Sequence, residues 1–578
     1  MRYGPSSTAR SPDVAPASRP VTRRSFLKRA GRTGLAAGAL AAAPSLLTAS
    51  ARAAGAAPRP GMNLLLVMVD QMRTPWVYMP PALQRRTLPS VTKLAHQGVR
   101  FSNYYAASND CTPSRTTQAT GLYTHQTGIF ATTPPTDLNP GFPTFGTMLR
   151  QHGYDTQWFG KWHMSGEQNG GCEPDPYEAY GFSADWPGSG TCPSPNGGAG
   201  QGLAMDPVIR QQFRDWIGAR PAGGNPWATV VSFVNPHDIA WYPRESRTVE
   251  GENHAPSVYG NLPRNFETAV GRAKRDKPEM QRKSQQIANE LFGIMPTTRH
   301  TPRLWTQMLD TYLLMQHEVD IQIGLVLDAL AKSPFADDTI VVCTSDHGEY
   351  AGAHGMRGKG SAFYDEGVRV PLIVKDPTGA WTQHADVTRD QLLESVDLAG
   401  LMLTLGTGGN DWRGDSTYAQ IAGRADIGSI LLDPQAKGRP YIAHATDEPG
   451  TSPKVPTTQQ SRPAPFHITG VRTPRGKLAR YAFWKDGTLD IDESRPIQYE
   501  AYDYATAGGR LEIDNVYGKQ GASSEDRALV TRLRALLDRA TADQLQGPLP
   551  AALQPVQAQA FTDWFAQPPG DYTRDTEN

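Results

Sequence analysis

Four apolar segments of this chain end in residues able to bind a cation, hold an anion or move a proton. Asp70 and Gln71 follow Met62–Val69 (MNLLLVMV), and Asp346, His347 and Glu349 stand in the string SDHGE that closes Thr339–Ser345. Lys161 and His163 (GKWH) follow Thr156–Gly160, and His237 (NPHD) follows Trp227–Asn235. Carboxylates at the carboxyl ends of sheet strands are where open α/β folds place their sites. Neighbouring residues on a regular strand face opposite sides, so a doublet converges on one point only where the chain turns. Gly348 allows such a turn after the second doublet. Lys161 and His163 are two apart and share a face in extended backbone. Imidazole suits proton transfer because its pKa lies near neutrality. Each string alone is an ordinary loop or strand end, so their company carries the argument.

Residues 109–121 read N-D-C-T-P-S-R-T-T-Q-A-T-G, with Arg115 one helical turn after Cys111 on the same face. Cys111–Arg115, followed by Thr120-Gly121, matches the signature of the type I sulfatases, members of the alkaline phosphatase superfamily. The chain resembles that family over about residues 61–376, with six motifs in order, and A-Y-D-Y at 501–504 is weakly similar to the family's C-terminal L-Y-D-L. The resemblance implies that Cys111 is converted to formylglycine, an aldehyde whose hydrate carries two hydroxyls on one carbon. One hydroxyl attacks sulfur; the other expels sulfate by collapsing to the carbonyl.

The same resemblance assigns a divalent cation to Asp70, Gln71, Asp346, His347 and the modified Cys111. Lys161 would contact sulfate and the nucleophile, and His163 would deprotonate the second hydroxyl. His237 would bind a sulfate oxygen and help protonate the leaving group. Lys359, in Gly358-Lys359-Gly360 thirteen residues after Asp346, would neutralise the leaving alkoxide or donate a proton to it. Arg115 would hold and orient the hydrate. Many family members have Asp where this chain has Gln71, and Asn where it has His347. Calcium is the first choice of cation, but the amide and imidazole bring manganese closer than an all-oxygen site would. His125, in Y-T-H-Q-T-G, is read as structural.

These residues need rigid elements beneath them. Met62–Val69, Thr156–Gly160, Trp227–Asn235, Thr339–Ser345 and Pro371–Lys375 read as buried strands, with another at Val99–Tyr104. Leu88–Gln97, closed by Gly98, and Thr144–His152 read as helices. Leu304, Met308, Met315, Val319, Ile323, Val326 and Leu330 form an apolar stripe on a long helix. Alternating strands and helices predict an α/β fold: a large mixed β-sheet flanked by helices, alkaline phosphatase-like by the resemblance. Shorter strands from about His467 and a charged helix near Ser524–Ala542 predict a smaller C-terminal α+β subdomain. Residues 165–226, crowded with Gly, Pro and Asn, read as loops, and 243–303 as a polar insertion with little periodicity. Both read as pocket rim. Trp158, Trp162, Tyr177, Trp186, Trp241 and Tyr242 stand there or nearby, and most are read as packing. The expected division is an export signal at 1–53, a catalytic domain at 58–435, and a C-terminal subdomain and tail at 436–578.

The formal charge of +0 over 578 residues conceals an asymmetry. Residues 1–53 hold nine of the 57 basic and one of the 57 acidic side chains, which leaves 48 against 56 and a net −8 for the remainder. An acidic remainder has no general attraction for nucleic acid or anionic membranes, so an anionic substrate needs a local cluster of cations. Thr22–Lys28 (TRRSFLK), a mild apolar run over Leu35–Leu47 and Ala51-Arg52-Ala53 have the order of a cleavable export signal, and Arg23-Arg24 resemble the twin-arginine type. The run is shorter than the roughly 20 residues that span a bilayer, so no membrane anchor is expected. The mature protein is then periplasmic or secreted, with the Tat translocase and a formylglycine-generating enzyme as maturation partners. Cys172 and Cys192 bracket a loop, either as a bridge or as free thiols. Cys343 reads as a buried small hydrophobe. The substrate implied is a small-molecule or saccharide sulfate ester. The alternatives are a phosphonate monoester or phosphodiester hydrolase, whose members share C-x-P-S-R, and a sulfatase-like binding protein, whose mark would be a missing ligand or cation that this sequence does not show.

Overall fold

The computed structural model describes residues 57–132, 137–165, 177–184, 200–243, 261–297, 302–448, 464–485 and 487–565. The expected export signal, Cys172, Trp186, Cys192 and the last residues of the chain lie outside the described residues.

Seven strands make the central sheet: β1 (Asn63–Val69), β2 (Val99–Phe101), β3 (Asp155–Gly160), β4 (Trp227–Phe233), β5 (Thr339–Ser345), β6 (Leu372–Lys375) and β7 (Val387–Arg389). Their order is β3-β4-β1-β5-β6-β2-β7. β1 lies parallel between β4 and β5, with Val69 opposite both Phe233 and Ser345. Three strands therefore end at one level and release Asp70, the Asn235–His237 segment and Asp346 side by side. β6 runs antiparallel to β5 and to β2, so the sheet is mixed, as expected.

The main helices are α1 (Pro89–Gln97), α2 (Cys111–Thr120), α3 (Phe145–Arg150), α4 (Gly202–Ala219), α5 (Glu279–Phe292), α6 (Pro302–Ala331), α7 (Leu398–Thr407) and α8 (Ser524–Ala540). They cover both faces of the sheet. On β1, Leu64, Leu66 and Met68 pack with Ala119 of α2, Leu149 of α3, and Leu401 and Leu405 of α7. Leu65, Val67 and Val69 face the other core, with Val91 of α1, Phe213 of α4 and Val319, Ile323 and Val326 of α6. Burial of alternate residues on opposite faces makes β1 apolar throughout rather than alternating. The stripe on α6 is buried from Met308 to Leu330, with Leu304 partly so.

A second, antiparallel sheet joins β8 (Ile442–Thr446), β9 (His467–Arg472), β10 (Gly476–Ala482) and β11 (Gln498–Asp503), in that order. Leu529, Leu533 and Leu537 of α8 pack on it and complete the α+β unit. This sheet begins at Ile442, ahead of the change in pattern near His467. Two helices correct the loop readings. α4 lies within 165–226, its buried side anchored by Ile209, Phe213 and Ile217 at a spacing of four. α5 lies within 243–303 and buries Gln281 and Gln285 beside Met280, so its inward face carries little apolar signal. Among the described residues no helix is long and apolar enough to cross a membrane.

Candidate active site

The ends of the parallel strands bring the dispersed motifs together around Cys111. Asp70 leaves β1 with its amide still bonded to Phe233 O (3.3 Å), and Gln71 then takes φ 68°. That left-handed residue turns the chain so that the doublet stays at the sheet edge. The turn is pinned by α6, whose Tyr312 hydroxyl donates to Gln71 O at 2.7 Å and accepts from Arg73 N at 3.0 Å. Gly348 serves differently from the expected turn. A Cβ there would lie 2.0 Å from Glu366 O, so close backbone approach requires the glycine.

Asp110 precedes α2, Cys111 is its first residue, and Gly121 closes it in the left-handed region at φ 72°. Every residue of α2 is buried. Ser114 Oγ donates to Asp346 O (2.6 Å) and Gln118 Nε2 to Ser345 O (2.9 Å), which fastens the helix to the end of β5. Arg115, one turn below Cys111, donates from Nε to Asp346 Oδ2 and from Nη2 to Asp70 Oδ2, both at 2.9 Å. Its Nη1 donates to Lys161 O (2.8 Å) and Ser232 Oγ (3.0 Å). The guanidinium thus ties β1, β3, β4 and β5 beneath the site, and most of its donors are already engaged.

Lys161 follows Gly160, where a Cβ would lie 2.1 Å from Ser232 O. Its Nζ lies 2.8 Å from Asp70 Oδ2 and 3.7 Å from Cys111 Sγ. Lys359 Nζ lies 3.1 Å from Cys111 Sγ and 2.7 Å from Gln71 Oε1. His347 Nε2 is 3.2 Å from Sγ, and its Nδ1 is 3.0 Å from Gly348 O. His163 stands close enough to Cys111 for the two side chains to influence each other electrostatically. His237 sits close enough to Asp70 to lower that carboxyl electrostatically, with Trp241 packed edge-on to its ring at 5.1 Å.

Burial alone would raise the Cys111 thiol, but Lys161, Lys359 and His347 outweigh it and hold the thiol well below its ordinary value. Burial and the Cys111 charge also push Asp70 up; Lys161, His237 and Arg115 hold it below the usual carboxylate range. Asp346 moves upward through burial and the charge of Asp70. Burial pulls the His163 imidazole down to about 4, so it is neutral at physiological pH and able to accept a proton. Lys359 is raised despite burial, because Cys111, Asp70 and Asp346 face it.

The donor set fits a divalent cation. One ligand atom from each of Asp70, Cys111, Asp346 and His347 lies within 4.8 Å of the others, and all four residues are buried. Two carboxylates and an imidazole are ordinary ligands of divalent cations. Gln71 directs its oxygen to Lys359 and its nitrogen to Glu349. Asp70, Gln71, Arg115, Lys161, Asp346 and His347 have almost no exposure, whereas His163 and Lys359 are partly exposed and His237 retains 9%. The site therefore opens on the side of His163, His237 and Lys359.

Several supporting residues carried no sequence signal of their own. Asp206 of α4 accepts from Val234 N (2.7 Å) and Asn235 N (3.1 Å), just ahead of His237. Asp238 accepts from Gly200 N and Gly202 N, both at 2.7 Å, at the start of α4. Trp158, Trp162 and Tyr177 are buried, with Trp162 edge-on to Trp158 and stacked on Tyr177 at a centroid distance of 4.5 Å, which agrees with packing. His125 is buried against Phe130, His467 and Trp484, as a structural residue would be.

The family model described as Sulfatase matches residues 62–408, more than half of the chain. The chain belongs to the sulfatase family. Among curated relatives it is 30% identical over 369 residues to an uncharacterized sulfatase, YidJ, of Escherichia coli (strain K12), covering 59% of this chain and 67% of that protein. It is 26% identical over 397 residues to a Delta 4,5-hexuronate-2-O-sulfatase of Bacteroides thetaiotaomicron, covering 68% of this chain and 77% of that one. In fold it matches a phosphonate monoester hydrolase from Silicibacter pomeroyi with a TM-score of 0.61 at 21% identity, over 85% of this sulfatase and 97% of that chain. That likeness places the sulfatase in the alkaline phosphatase-like fold.

Proposed function

We propose that this sulfatase hydrolyses sulfate monoesters with a nucleophile made from Cys111 by oxidation to formylglycine. The observation that carries the reading is the setting of Cys111 Sγ, 3.1 Å from Lys359 Nζ, 3.2 Å from His347 Nε2 and 3.7 Å from Lys161 Nζ. Formylglycine supplies, as its hydrate, one hydroxyl for attack on sulfur and a second for release of sulfate. Asp70, Gln71, Asp346, His347 and the modified residue would hold a divalent cation, calcium by first choice and manganese by second. Bound there, the cation supplies Lewis-acid stabilisation of charge on sulfate oxygens.

The chain's own residues do the rest. Lys161 and Lys359 flank the nucleophile and face the charge that builds on the sulfate oxygens, usually the largest catalytic term. His163, neutral at physiological pH, takes the proton of the second hydroxyl. His237 and Lys359, on the open side, meet the sulfate and the departing alkoxide, to which His237 returns a proton. Arg115 orients Asp70 and Asp346 from beneath.

The substrate class is a small-molecule or saccharide sulfate ester, in keeping with relatives named for hexuronate 2-O-sulfate and N-acetylglucosamine 6-O-sulfate. Residues 58–435 carry the chemistry, and 436–578 form the C-terminal subdomain and tail. The twin-arginine signal directs the folded enzyme to the periplasm or medium, after a formylglycine-generating enzyme has acted on Cys111.

Mass spectrometry of the tryptic peptide containing Cys111 tests the modification; an unaltered thiol in a fully active preparation overturns it. Phosphonate monoester hydrolysis is the second reading, because Gln71 and His347 depart from the Asp and Asn of many sulfatases. Rates on an aryl sulfate and an aryl phosphonate monoester separate the two, and turnover of the phosphonate alone overturns the sulfatase reading.

A further inference from the structure

We propose that Glu349 is a positioning residue that fixes which end of the Gln71 carboxamide faces the site. The inference rests on the reading of Gln71 as an oxygen ligand of the cation. Glu349 is wholly buried. Its Oε2 accepts from Gln71 Nε2 at 2.5 Å, and its Oε1 accepts from Ala351 N (2.8 Å) and Gly358 N (2.7 Å). On the far side of the amide, Lys359 Nζ donates to Gln71 Oε1 at 2.7 Å. The main chain of Gln71 is already held, N to Asp346 Oδ1 at 3.0 Å and O to the Tyr312 hydroxyl at 2.7 Å.

A carboxamide has two ends of nearly equal size and opposite polarity. Glu349 accepts from three N–H groups, as an ionised carboxylate does, and the ammonium of Lys359 only donates. Nitrogen must therefore face Glu349, and oxygen must face Lys359, whose Nζ also lies 3.1 Å from Cys111 Sγ. The reverse sense would set NH2 against ammonium and oxygen against carboxylate. An aspartate at position 71 would need no such device, because its two oxygens are equivalent. Glutamine offers an oxygen reliably only with an obligate acceptor behind it.

Glu349→Gln tests this with almost no change of shape. The new carbonyl must serve Ala351 N and Gly358 N, so the new NH2 faces Gln71. Gln71 then turns its oxygen back toward position 349 and presents NH2 to Lys359 and the cation. The exchange Gln71→Glu with Glu349→Gln keeps atom count and net charge and returns an oxygen to the site. The mature enzyme, stripped with a chelator, is titrated with Ca2+ and with Mn2+ by calorimetry, alongside Michaelis kinetics.

Glu349→Gln is expected to bind cation about 10–100-fold more weakly, the usual cost of losing a partner that orients a ligand. The exchange recovers most of that loss, which a purely structural role for Glu349 would not produce. Undiminished binding by Glu349→Gln, or an exchange variant that binds no better, overturns the proposal alone. A parent enzyme that binds no divalent cation overturns the metal assignment and this proposal together. If Glu349→Gln fails to fold, the exchange decides: folding and binding like the parent support the proposal, and failure of either overturns it.

Discussion

Arg115 and Asp70 meet at 2.9 Å, Nη2 to Oδ2, with neither side chain exposed. The same guanidinium holds Asp346 at 2.9 Å through Nε. One cation thus spans two carboxylates that would otherwise repel each other in a dry setting, where isolated charge is costly. Arg115 works beneath the nucleophile, holding in place the groups that would carry the metal.

Removing that guanidinium should therefore show first in stability. Arg115→Met leaves two buried carboxylates short of a partner, and the loss expected on breaking such a pair is about 3–5 kcal/mol. Chemical denaturation of the metal-free protein measures it. Arg115→Lys keeps the charge but not the planar fork, and should fall between the two. A variant as stable as the parent would show that Lys161, 2.8 Å from Asp70, suffices.

Cys111→Ser should preserve the fold, since Cys111 is buried at the start of α2 and serine is no larger. The serine hydroxyl can form a sulfate ester but has no second hydroxyl on the same carbon to release it. One turnover at most is expected, read as a product burst stoichiometric with enzyme and no steady state. Normal steady-state rates would end the geminal-diol mechanism.

The distribution of what the sequence disclosed follows from locality. β1, β4 and β5 are buried on both faces, so composition alone revealed them, and the motifs at their ends followed. The four-residue step from Cys111 to Arg115 is a local property of a helix. Tyr312, Asp206 and Glu349 act across the chain, Tyr312 reaching a residue 241 positions away, and no local pattern encodes such pairings. Gln71 at φ 68° was equally hidden, because glutamine has no special preference for that region. α4 was masked by Gly- and Pro-rich flanks and by Pro207 within it, and α5 by its buried glutamines.

His444 gives a pH prediction independent of the metal. It is buried, stacked on Phe363 with ring centroids 4.5 Å apart, and burial pulls its imidazole down to about 3 from an ordinary 6.5. The folded state keeps it neutral, while the unfolded chain takes up a proton below 6.5. Its stabilising contribution is thus full above that value and is lost as pH falls toward 3, at about 1.4 kcal/mol per pH unit. His444→Phe keeps an aromatic ring over Phe363 and cannot titrate. Denaturation at pH 7 and pH 5 should show a smaller acid loss for the variant than for the parent, and equal losses would remove His444 from the account.

Asp206 links the unforeseen helix α4 to the chemistry. Its carboxyl, pushed up to about 8 by burial, accepts from Val234 N and Asn235 N, both fully buried, two residues ahead of His237. Asp206→Ala leaves two amide donors without that partner, at about 1–3 kcal/mol each. The freed segment carries His237 on the open side of the site, so kcat should fall together with stability. Asp206→Asn, whose single carbonyl can serve only one of the two amides while its NH2 faces the other, should restore only part of both. Stability lost without any change in kcat would show that Asp206 braces α4 against the end of β4 and leaves His237 in place by other means.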